Sequence, residues 1–415
     1  MAEKVVLAYS GGLDTSVAVR WLALERGYDV VALTVDVGLD RDRTELEERA
    51  RGAGAVDYRW LDAREDFIRY FAFPALAAGA LYQGVYPLAT ALARPLIAKL
   101  MVDVARETKA QAVAHGCTGK GNDQVRFDVS VQALAPDLKI VAPVREWELK
   151  TREEEIDYAQ KHGIPVPVTK KSSYSIDENL WGRSIESGPL EDPWTEPPED
   201  CFAWTRSIAN APDKPAYIEV GFERGLPVSL DGDDLDGIAL VQRLNQLAGE
   251  HGVGRIDHLE DRLVGIKSRE VYEAPAAVTL LRAHEALEHM TLSKQQRRLK
   301  QSIGQEYAEL IYNGLWFSAH HQDIAHYVQS TQRHVTGTVR VRLHKGQATA
   351  AGTKSPRSLY ATALATYEKG DQYDQSAAEG FIKIWGLPVQ VQAQAQLLAQ
   401  PGDTLRIAAP EDNEP

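Results

Sequence analysis

The first third of the chain alternates short runs of Val, Ile, Leu and Ala with longer segments whose apolar residues recur at helical spacing. The short runs predict strands and the longer segments predict helices. Strands that alternate with helices favour an α/β domain, in which a mostly parallel, doubly wound sheet carries helices on both faces. The predicted strands are 5–9, 30–35, 58–61, 112–114 and 140–142, and the predicted helices are about 14–26, 42–52, 65–78, 92–108 and 151–162.

The second half of the chain has a different pattern, in which hairpins and long helices predict an α+β domain. One hairpin is predicted at 217–230, and another at 338–350 is predicted to turn at Lys345-Gly346. Between the two halves, a Pro-punctuated stretch leads us to expect a domain boundary near 165–172. The predicted helices of this half are 237–251, 276–290 and 294–312, followed by a shorter one at 363–370 and a frayed tail.

Composition and charge narrow the class of protein. The 415 residues carry a net charge of −13, which argues against a nucleic-acid partner, because nucleic-acid binders have a basic surface. The two cysteines, Cys117 and Cys201, make no disulfide framework and favour a reducing compartment. The N-terminal residues predict a strand rather than a signal peptide, and no apolar stretch reaches the roughly 18 residues of a membrane-spanning helix. We therefore expect a soluble, cytoplasmic protein without a membrane partner.

The segment SGGLDTS, residues 10–16, lies between the first predicted strand and the first predicted helix. Its two adjacent glycines let the backbone approach a ligand closely and adopt positive φ. Its hydroxyl groups and the free N–H groups at the start of the helix can point at phosphate oxygens. Asp14 could cap the helix or help to place a metal ion. The alternative is an ordinary Gly-Gly turn with a helix cap; the Walker pattern GxxxxGK[ST] does not occur in the sequence.

A second motif, HGCTGKGNDQVR at 115–126, follows the fourth predicted strand. In a parallel sheet it would lie at the same edge as the first motif, where such sheets bind ligands. The loop can hold a zwitterion, with Asp123 for an ammonium group and Thr118 and Asn122 for a carboxylate. Arg126 can bind a carboxylate or phosphate bidentately. In isolation a solvated polar loop is the better reading, but the pairing with the first motif favours a binding site.

The remaining polar candidates are scattered: Tyr86, Ser175, Ser184, Glu260 and Tyr272. Taken singly, each is better read as a surface or capping residue. Residue physics alone does not select any of them.

Two other candidate sites, a zinc site and a catalytic cysteine, have little support in the sequence. His284 and His289 are five residues apart, whereas the zinc motif HExxH spaces its histidines by four, so an exposed helix face is predicted. Cys117 lies in the Gly-rich loop, but no second cysteine stands nearby in the sequence to resolve a persulfide or a disulfide. A catalytic cysteine is therefore disfavoured.

The first motif resembles the signature of the PP-loop ATP pyrophosphatases, which cleave ATP between its α- and β-phosphates. The longer segment HGCTGKGNDQVRF, residues 115–127, narrows the resemblance to the argininosuccinate synthase family. The similarity extends over nearly the whole chain, through the segments 80–95, 175–194, 251–257, 265–275 and 373–384.

The resemblance implies a reaction in which L-citrulline and L-aspartate are joined at the expense of ATP, giving argininosuccinate, AMP and pyrophosphate. ATP would be a substrate, with Mg²⁺ carried on its phosphates, and citrullyl-adenylate would be the intermediate of this arginine-forming pathway. The resemblance also implies a homotetramer. We expect a nucleotide-binding domain at 1–168, a synthetase domain for citrulline and aspartate at 169–360, and an oligomerisation helix and tail at 361–415.

Site residues follow from the resemblance position by position. The expected ATP contacts are Ala8, Tyr9, Ser10, Gly11, Gly12, Leu13, Asp14, Thr15 and Ser16, with Val35 and Gly116 beside the adenosine. The expected aspartate site is Thr118, Asn122 and Asp123. The expected citrulline site is Tyr86, Ala91, Asn122, Arg126, Ser175, Ser184, Glu260 and Tyr272.

The sequence departs from the family pattern at three positions. Ala91 stands where many members have a hydroxyl residue, although its neighbour Thr90 keeps the family's threonine. Cys117 stands where others have Ala, and Leu39 where a Gln is usual. The citrulline contact at position 91 is therefore in doubt.

Two other functions compete with this one. A tRNA-thiolating PP-loop enzyme would need paired cysteines and a basic face, and an amide-forming one would need an amidotransferase domain; the sequence indicates neither. A non-catalytic adenine-nucleotide sensor would not need the second polar loop. Within the expected site, no residue stands out from the sequence as a general base.

Overall fold

The computed structural model describes residues 2–38, 40–165 and 174–404. The chain divides into two units, Met1–Leu359 and Tyr360–Pro415. The domain boundary predicted near 165–172 falls almost entirely outside the described residues, as does Leu39.

The predicted parallel sheet is present near the N-terminus. Its strands are β1 (Lys4–Ala8), β2 (Asp29–Asp36), β3 (Asp57–Asp62), β4 (Ala112–Ala114) and β5 (Lys139–Val141). They lie in the order β3-β2-β1-β4-β5, and all neighbouring strands are parallel. The carboxyl ends of β1, β2 and β4 therefore meet at one edge, from which the two Gly-rich motifs begin.

Helices cover both faces of this sheet, as the sequence predicts. They are α1 (Leu13–Glu25), α2 (Arg43–Ala53), α3 (Arg64–Phe67), α4 (Phe73–Ala78), α5 (Ala89–Thr108), α6 (Asp123–Leu134), α7 (Pro143–Glu146) and α8 (Arg152–Lys161), with a π-helical segment, Ile68–Ala72, between α3 and α4. Successive side chains of a strand point to opposite faces. Val5 and Leu7 of β1 accordingly pack in one apolar cluster with Val17 and Leu22 of α1, while Val6 packs in a separate cluster.

The first helix starts at an uncapped turn. Gly12 is the N-cap of α1 and the structure gives that cap no side-chain hydrogen bond, so the prediction that Asp14 could cap this helix is wrong. Gly11 has φ +74°, and a Cβ there would meet Leu46 Cδ2 at 2.1 Å. The N–H groups of the first turn of α1 are therefore left for a ligand. By contrast, α8 begins with a capping box formed by Thr151 and Glu154.

The second half of the first unit contains two antiparallel sheets. Its strands are β6 (Ser175–Asn179), β7 (Gly182–Glu186), β8 (Ala216–Glu223), β9 (Leu226–Leu230), β10 (Asp233–Asp234), β11 (Arg255–Asp261), β12 (Lys267–Glu273), β13 (Gly337–His344) and β14 (Gln347–Lys354). One sheet has the order β10-β9-β8-β13-β14 and contains both predicted hairpins, with Lys345 and Gly346 at positive φ in the β13–β14 turn. The other, β11-β12-β7-β6, was not predicted.

Four long helices complete the first unit, and the second unit is described separately. The helices are α9 (Gly237–Glu250), α10 (Pro275–Thr291), α11 (Lys294–Tyr312) and α12 (Ala319–Thr331); the second unit contains α13 (Thr362–Ala365) and α14 (Ala377–Gln392). The helix predicted at 363–370 is thus mostly wrong, and α12 was missed, whereas α14 lies in the segment 361–415, where the family resemblance implies a helix. Among the described residues, no helix combines the length and the apolar character needed to cross a bilayer.

The exposed face predicted at His284 is also wrong. The side chain of His284 is buried, and its Nε2 lies 2.9 Å from Gln332 Oε1. The described residues contain no group of three His, Cys, Asp or Glu side chains able to hold a metal ion.

Candidate active site

A cavity of about 660 Å³ lies at the carboxyl edge of the parallel sheet. It extends from the Gly-Gly turn after β1 to one face of the β11-β12-β7-β6 sheet. The residues expected at the site that line this cavity are Ala8, Tyr9, Ser10, Gly12, Leu13, Asp14, Thr15, Val35, Tyr86, Gly116, Thr118, Asn122, Asp123, Arg126, Ser175, Ser184, Glu260 and Tyr272. The fold therefore brings together residues that are scattered over more than half of the sequence.

Three expected residues do not line the cavity. Gly11 lies behind the turn against Leu46. Ser16 is fully buried, with its Oγ 3.1 Å from the hydroxyl group of Tyr9. Ala91 is also fully buried, so a side-chain contact from position 91 to a ligand in the cavity is not available.

The hydroxyl group missing at position 91 is supplied by its neighbour. Thr90 lines the cavity, and its Oγ1 lies 2.6 Å from the hydroxyl group of Tyr86. Tyr86 is stacked on Tyr272 with ring centroids 4.0 Å apart. Thr90 thus belongs to the same wall as two expected citrulline residues.

The turn after β1 is shaped to face an anion. Ser10 Oγ lies 3.2 Å from Thr15 Oγ1, and the Gly12 N–H donates to Ser10 Oγ at 3.4 Å. Arg49 Nη1 donates to the Gly11 carbonyl at 2.6 Å, and Arg41 donates to the Ser10 carbonyl. The Ser10 and Gly11 carbonyl groups are thereby held by arginines, while the hydroxyl groups of Ser10 and Thr15 lie at the cavity beside the start of α1, a place where an anion can bind. Arg41 also lines the cavity and was not predicted from the sequence.

At the other end of the cavity, two arginines and two aspartates form a cluster of ion pairs. The Asp123 carboxylate accepts hydrogen bonds from Arg94 Nη2 at 2.7 Å and from Arg126 Nη1 at 2.8 Å. Arg94 Nη2 also donates to Asp177. Although burial opposes ionisation, Arg94 and Arg126 lower the pKa of the Asp123 carboxyl to about 2. Arg126 Nη2 is buried and has no hydrogen-bond partner among the described residues, so it can donate a hydrogen bond to the carboxylate of a ligand.

A chain of hydrogen bonds fixes the expected citrulline residue Glu260. This buried carboxylate receives the hydroxyl groups of Tyr272 at 2.6 Å and Tyr312 at 2.5 Å. The Asn122 side-chain amide donates to the Tyr312 hydroxyl at 2.7 Å, and its oxygen receives the Leu263 N–H at 2.9 Å. Asn122 and Tyr312 therefore hold Glu260 in one orientation. Tyr312, at the end of α11, had no signal in the sequence.

The unpredicted sheet explains why scattered polar residues converge. Antiparallel register sets Asp177 opposite Ser184 and Ser184 opposite Tyr272. Residues two apart on a strand share a face, so Ser175 and Glu186 belong to this face as well. The signal available in the sequence was the spacing of polar residues two apart: Ser175 and Asp177 in one segment, and Ser184 and Glu186 in the next.

The turn between β11 and β12 connects this sheet to the Gly-rich loop. Arg262 Nη2 donates to Glu186 Oε2 at 2.5 Å and to Glu270 Oε1 at 2.7 Å, and its Nε donates to Ser268 Oγ at 2.7 Å. Its Nη1 reaches the carbonyl of Lys120 at 3.3 Å. Burial, together with Glu186 and Glu260, raises the pKa of Glu270 to about 8. We call Arg262 and its partners the Arg262 bridge.

Cys117 lies on the cavity wall next to the same loop. Burial raises the pKa of its thiol well above the ordinary value, and Asp123 adds to that rise. A thiol that stays protonated is a poor nucleophile, in agreement with the sequence analysis.

A parallel sheet with this strand order, an uncapped phosphate-facing turn and a second polar loop at one edge define a nucleotide-binding α/β enzyme. The family model for the argininosuccinate synthase N-terminal HUP domain matches residues 4–165, and that for the argininosuccinate synthase C-terminal domain matches 174–392. The chain therefore belongs to the argininosuccinate synthase family and is a ligase.

Relatives named argininosuccinate synthase agree over almost the full length. The protein from Dehalococcoides mccartyi strain 195 is 59% identical over 396 residues, which is 95% of this chain and 97% of the relative. The Gloeobacter violaceus protein is 57% identical over 396 residues, covering 95% and 99%. The Lactiplantibacillus plantarum protein is 56% identical over 398 residues, covering 96% of each.

Proposed function

We propose that this cavity binds ATP, L-citrulline and L-aspartate together and forms argininosuccinate, AMP and pyrophosphate. Family membership supports the reaction. The observation that carries the assignment of the site is the presence, in one cavity, of the uncapped turn at Gly12 and the Arg94–Asp123–Arg126 cluster. The first suits a polyphosphate, and the second suits amino-acid ligands of both charges.

ATP is assigned to the edge of the parallel sheet. The turn of Ser10, Gly12 and Thr15 would hold the β- and γ-phosphates that leave as pyrophosphate, while Val35 and Gly116 would flank the adenosine. Mg²⁺ would arrive on the phosphate oxygens, where it offsets the charge that develops on the leaving group. Asp14 and the hydroxyl groups of Ser10 and Thr15, which line the cavity at this turn, offer the oxygen ligands that Mg²⁺ prefers.

The two amino acids are assigned to the polar loop and the unpredicted sheet. Thr118, Asn122 and Asp123 would bind aspartate. Arg126, through its unpartnered Nη2, would bind the α-carboxylate of citrulline, and Glu260 would bind the α-ammonium group. The remaining citrulline contacts are assigned to Tyr86, Ser175, Ser184 and Tyr272, with Thr90 in place of Ala91.

The chemistry requires activation of an unreactive ureido group, whose nitrogens donate into its carbonyl. The ureido oxygen attacks the α-phosphorus of ATP and expels pyrophosphate, giving citrullyl-adenylate. The amine of aspartate then attacks the activated carbon and AMP leaves. Because the three substrates share one cavity, much of the acceleration comes from holding the reacting atoms in position.

The direct test measures argininosuccinate and pyrophosphate from purified protein. We expect pyrophosphate release to require both ATP and citrulline, with no other amino acid able to replace citrulline. A nucleotide sensor would bind ATP without releasing pyrophosphate, and a tRNA-thiolating enzyme would require tRNA. Either of those results would refute the proposal.

The Arg262 bridge makes a further prediction about aspartate. Arg262→Gln removes the donor that joins the sheet to the Lys120 carbonyl and leaves Glu186 and Glu270 facing each other. We expect the KM for aspartate to rise about tenfold, on the scale of one lost charge-assisted hydrogen bond, with the KM for ATP less affected. Steady-state kinetics for each substrate measure this. Arg282→Gln, at an exposed ion pair with Glu285, is the control.

The proposal extends to two properties that do not depend on the cavity, the oligomeric state and the cellular location. We assign a homotetramer, built through 361–415, because α14 carries Phe381, Ile382 and Trp385 at 62%, 65% and 75% exposure. Large exposed apolar side chains along one helix favour a protein interface. A cytoplasmic location is supported by the two unpaired cysteines. Light scattering of the full chain measures the oligomeric state.

A further inference from the structure

The second half of the reaction needs a base, because the α-amino group of aspartate is an ammonium ion near neutral pH and has no lone pair for attack. The carboxylates that line the cavity are Asp14, Asp123, Asp177, Glu178, Glu186, Glu260 and Glu270. Each can be judged by the hydrogen bonds that its oxygens already receive.

Most of these carboxylates are already engaged. Both oxygens of Asp123 are held by arginines, and both oxygens of Glu260 are held by tyrosine hydroxyl groups. Glu186 and Glu270 share Arg262. Glu178 is paired with Arg183, and Asp14 belongs to the phosphate-facing turn.

The imidazole of His115 also lines the cavity and is likewise engaged. Its Nε2 lies 2.7 Å from Asp128 Oδ1, and its Nδ1 receives the Cys117 N–H at 3.2 Å. With both ring nitrogens bonded inside the protein, His115 is not free to accept a proton from a substrate.

Asp177 differs from the others in its position. Its Oδ1 receives no hydrogen bond among the residues that the structure describes, as is also true of one oxygen each of Glu178, Glu186 and Glu270. Asp177, however, is held through its Oδ2 by Arg94, the arginine that also binds Asp123. The side chain remains 40% exposed and lines the cavity. Arg94 bridges it to Asp123 of the assigned aspartate site, and Ser184 of the assigned citrulline site lies opposite it on β7. Asp177 thus stands where the two amino acids must meet.

We propose that Asp177 is the general base of the ligation step, taking a proton from the α-ammonium group of aspartate. This inference rests on the proposed function and assigns a role in it. Arg94 fixes the carboxylate by one oxygen and leaves the other directed to the substrate. Arg94 is therefore a positioning residue, and Asp177 a catalytic residue.

The step balances as follows. Asp177 Oδ1 accepts one proton, and the freed nitrogen lone pair forms the bond to the activated carbon of citrullyl-adenylate. The bond between that carbon and the AMP oxygen breaks, and AMP leaves with the bonding electrons. The second proton of the attacking nitrogen passes to the departing AMP oxygen, which leaves the guanidinium of argininosuccinate. Asp177 then releases its proton to solvent through the open side of the cavity.

The charges around Asp177 suit a base. Burial raises the pKa of the Asp177 carboxyl above its ordinary value; Arg94 and Arg41 oppose the rise and Asp123 adds to it. A carboxylate of raised pKa accepts a proton more readily. Cys117, the other titratable group facing this cluster, is neutral because burial raises its own pKa.

The test separates the two half-reactions in Asp177→Asn. Citrulline-dependent exchange of labelled pyrophosphate into ATP, without aspartate, reports the first half and is expected to stay within threefold of the unsubstituted protein. Ligation at saturating aspartate is expected to fall about 10²- to 10⁴-fold, the usual contribution of a general base. The residual rate should rise with pH in proportion to the free amine, about tenfold per unit below the pKa of that amine, whereas the unsubstituted protein changes little.

Asp257→Asn is the matched control, because Asp257 lies on the same sheet but pairs with Arg269 outside the cavity. Asp177→Glu, which keeps the charge beside Arg94, is the second variant and should retain the flat pH profile. Ligation within tenfold of the unsubstituted protein in Asp177→Asn, loss of exchange in parallel with ligation, or a rising pH profile in Asp177→Glu would each overturn the proposal. Absence of citrulline-dependent exchange in the unsubstituted protein would instead refute the proposed function.

Discussion

Gly11→Ala is expected to weaken ATP binding at least 100-fold, although Gly11 does not line the cavity. A Cβ at this position would stand 2.1 Å from Leu46 Cδ2, and the backbone there has φ +74°. A left-handed conformation costs a non-glycine residue about 1–2 kcal/mol even without a clash. Because the Leu46 side chain is itself packed in the core, we expect the turn to shift, and with it the N–H groups that open α1. Equilibrium titration with ATP measures the loss.

The control separates strain from collision. Gly27 has φ +67°, and a Cβ there would meet nothing within 4 Å. Gly27→Ala should lose a little stability and keep ATP affinity. A folded Gly11→Ala variant that binds ATP normally would show that the turn does not hold the phosphates.

Asp123→Ala is expected to raise the KM for aspartate at least 100-fold while ATP binding survives. The substitution removes the carboxylate between Arg94 and Arg126 and leaves two buried guanidinium groups without it. The ammonium group of aspartate also loses its assigned partner, and truncating one side of a hydrogen-bonded charge pair at a binding interface costs about 2–5 kcal/mol of binding free energy. Each 1.4 kcal/mol corresponds to about a tenfold change in affinity. Kinetics with varied aspartate and an ATP titration give the two readouts.

Stability must be followed in the same variant, because the cluster is part of the folded structure. We expect a lower Tm for Asp123→Ala and a smaller loss for Asp123→Asn, which keeps the shape and one acceptor oxygen. Asp137→Asn, at a surface pair with Arg106, should change neither quantity. Unchanged aspartate kinetics in Asp123→Ala would remove this residue from the assigned aspartate site.

The sequence was sufficient for the parallel sheet and its phosphate-facing turn. Both are local patterns: β1 and β2 are continuous apolar runs because they are buried on both faces, and glycines mark the turn between β1 and α1. The family resemblance then supplied about half of the residues that line the cavity. At position 91 the residue itself, Ala91, is buried away from the cavity, whereas its neighbour Thr90 lines it.

The rest of the site depends on contacts between distant segments. Tyr312 meets Asn122 across 190 positions of sequence, and Arg262 meets Lys120 across 142. No periodicity records such a pairing. The β11-β12-β7-β6 sheet escaped prediction because its strands contain few apolar residues and are polar on the cavity face, whereas the usual signal for a strand is apolar alternation.

The Arg262 bridge has a consequence for how this enzyme can be recombined. Two segments matched by separate family models, 4–165 and 174–392, meet where Arg262 and Leu263 bind the loop of Lys120 and Asn122. A chimera that takes each segment from a different relative inherits two surfaces that must interlock at atomic distances. Such chimeras should ligate only when the 118–122 and 261–270 segments come from the same parent. The contacts between these two segments, more than the linker between the halves, therefore decide which crossover positions give an active enzyme.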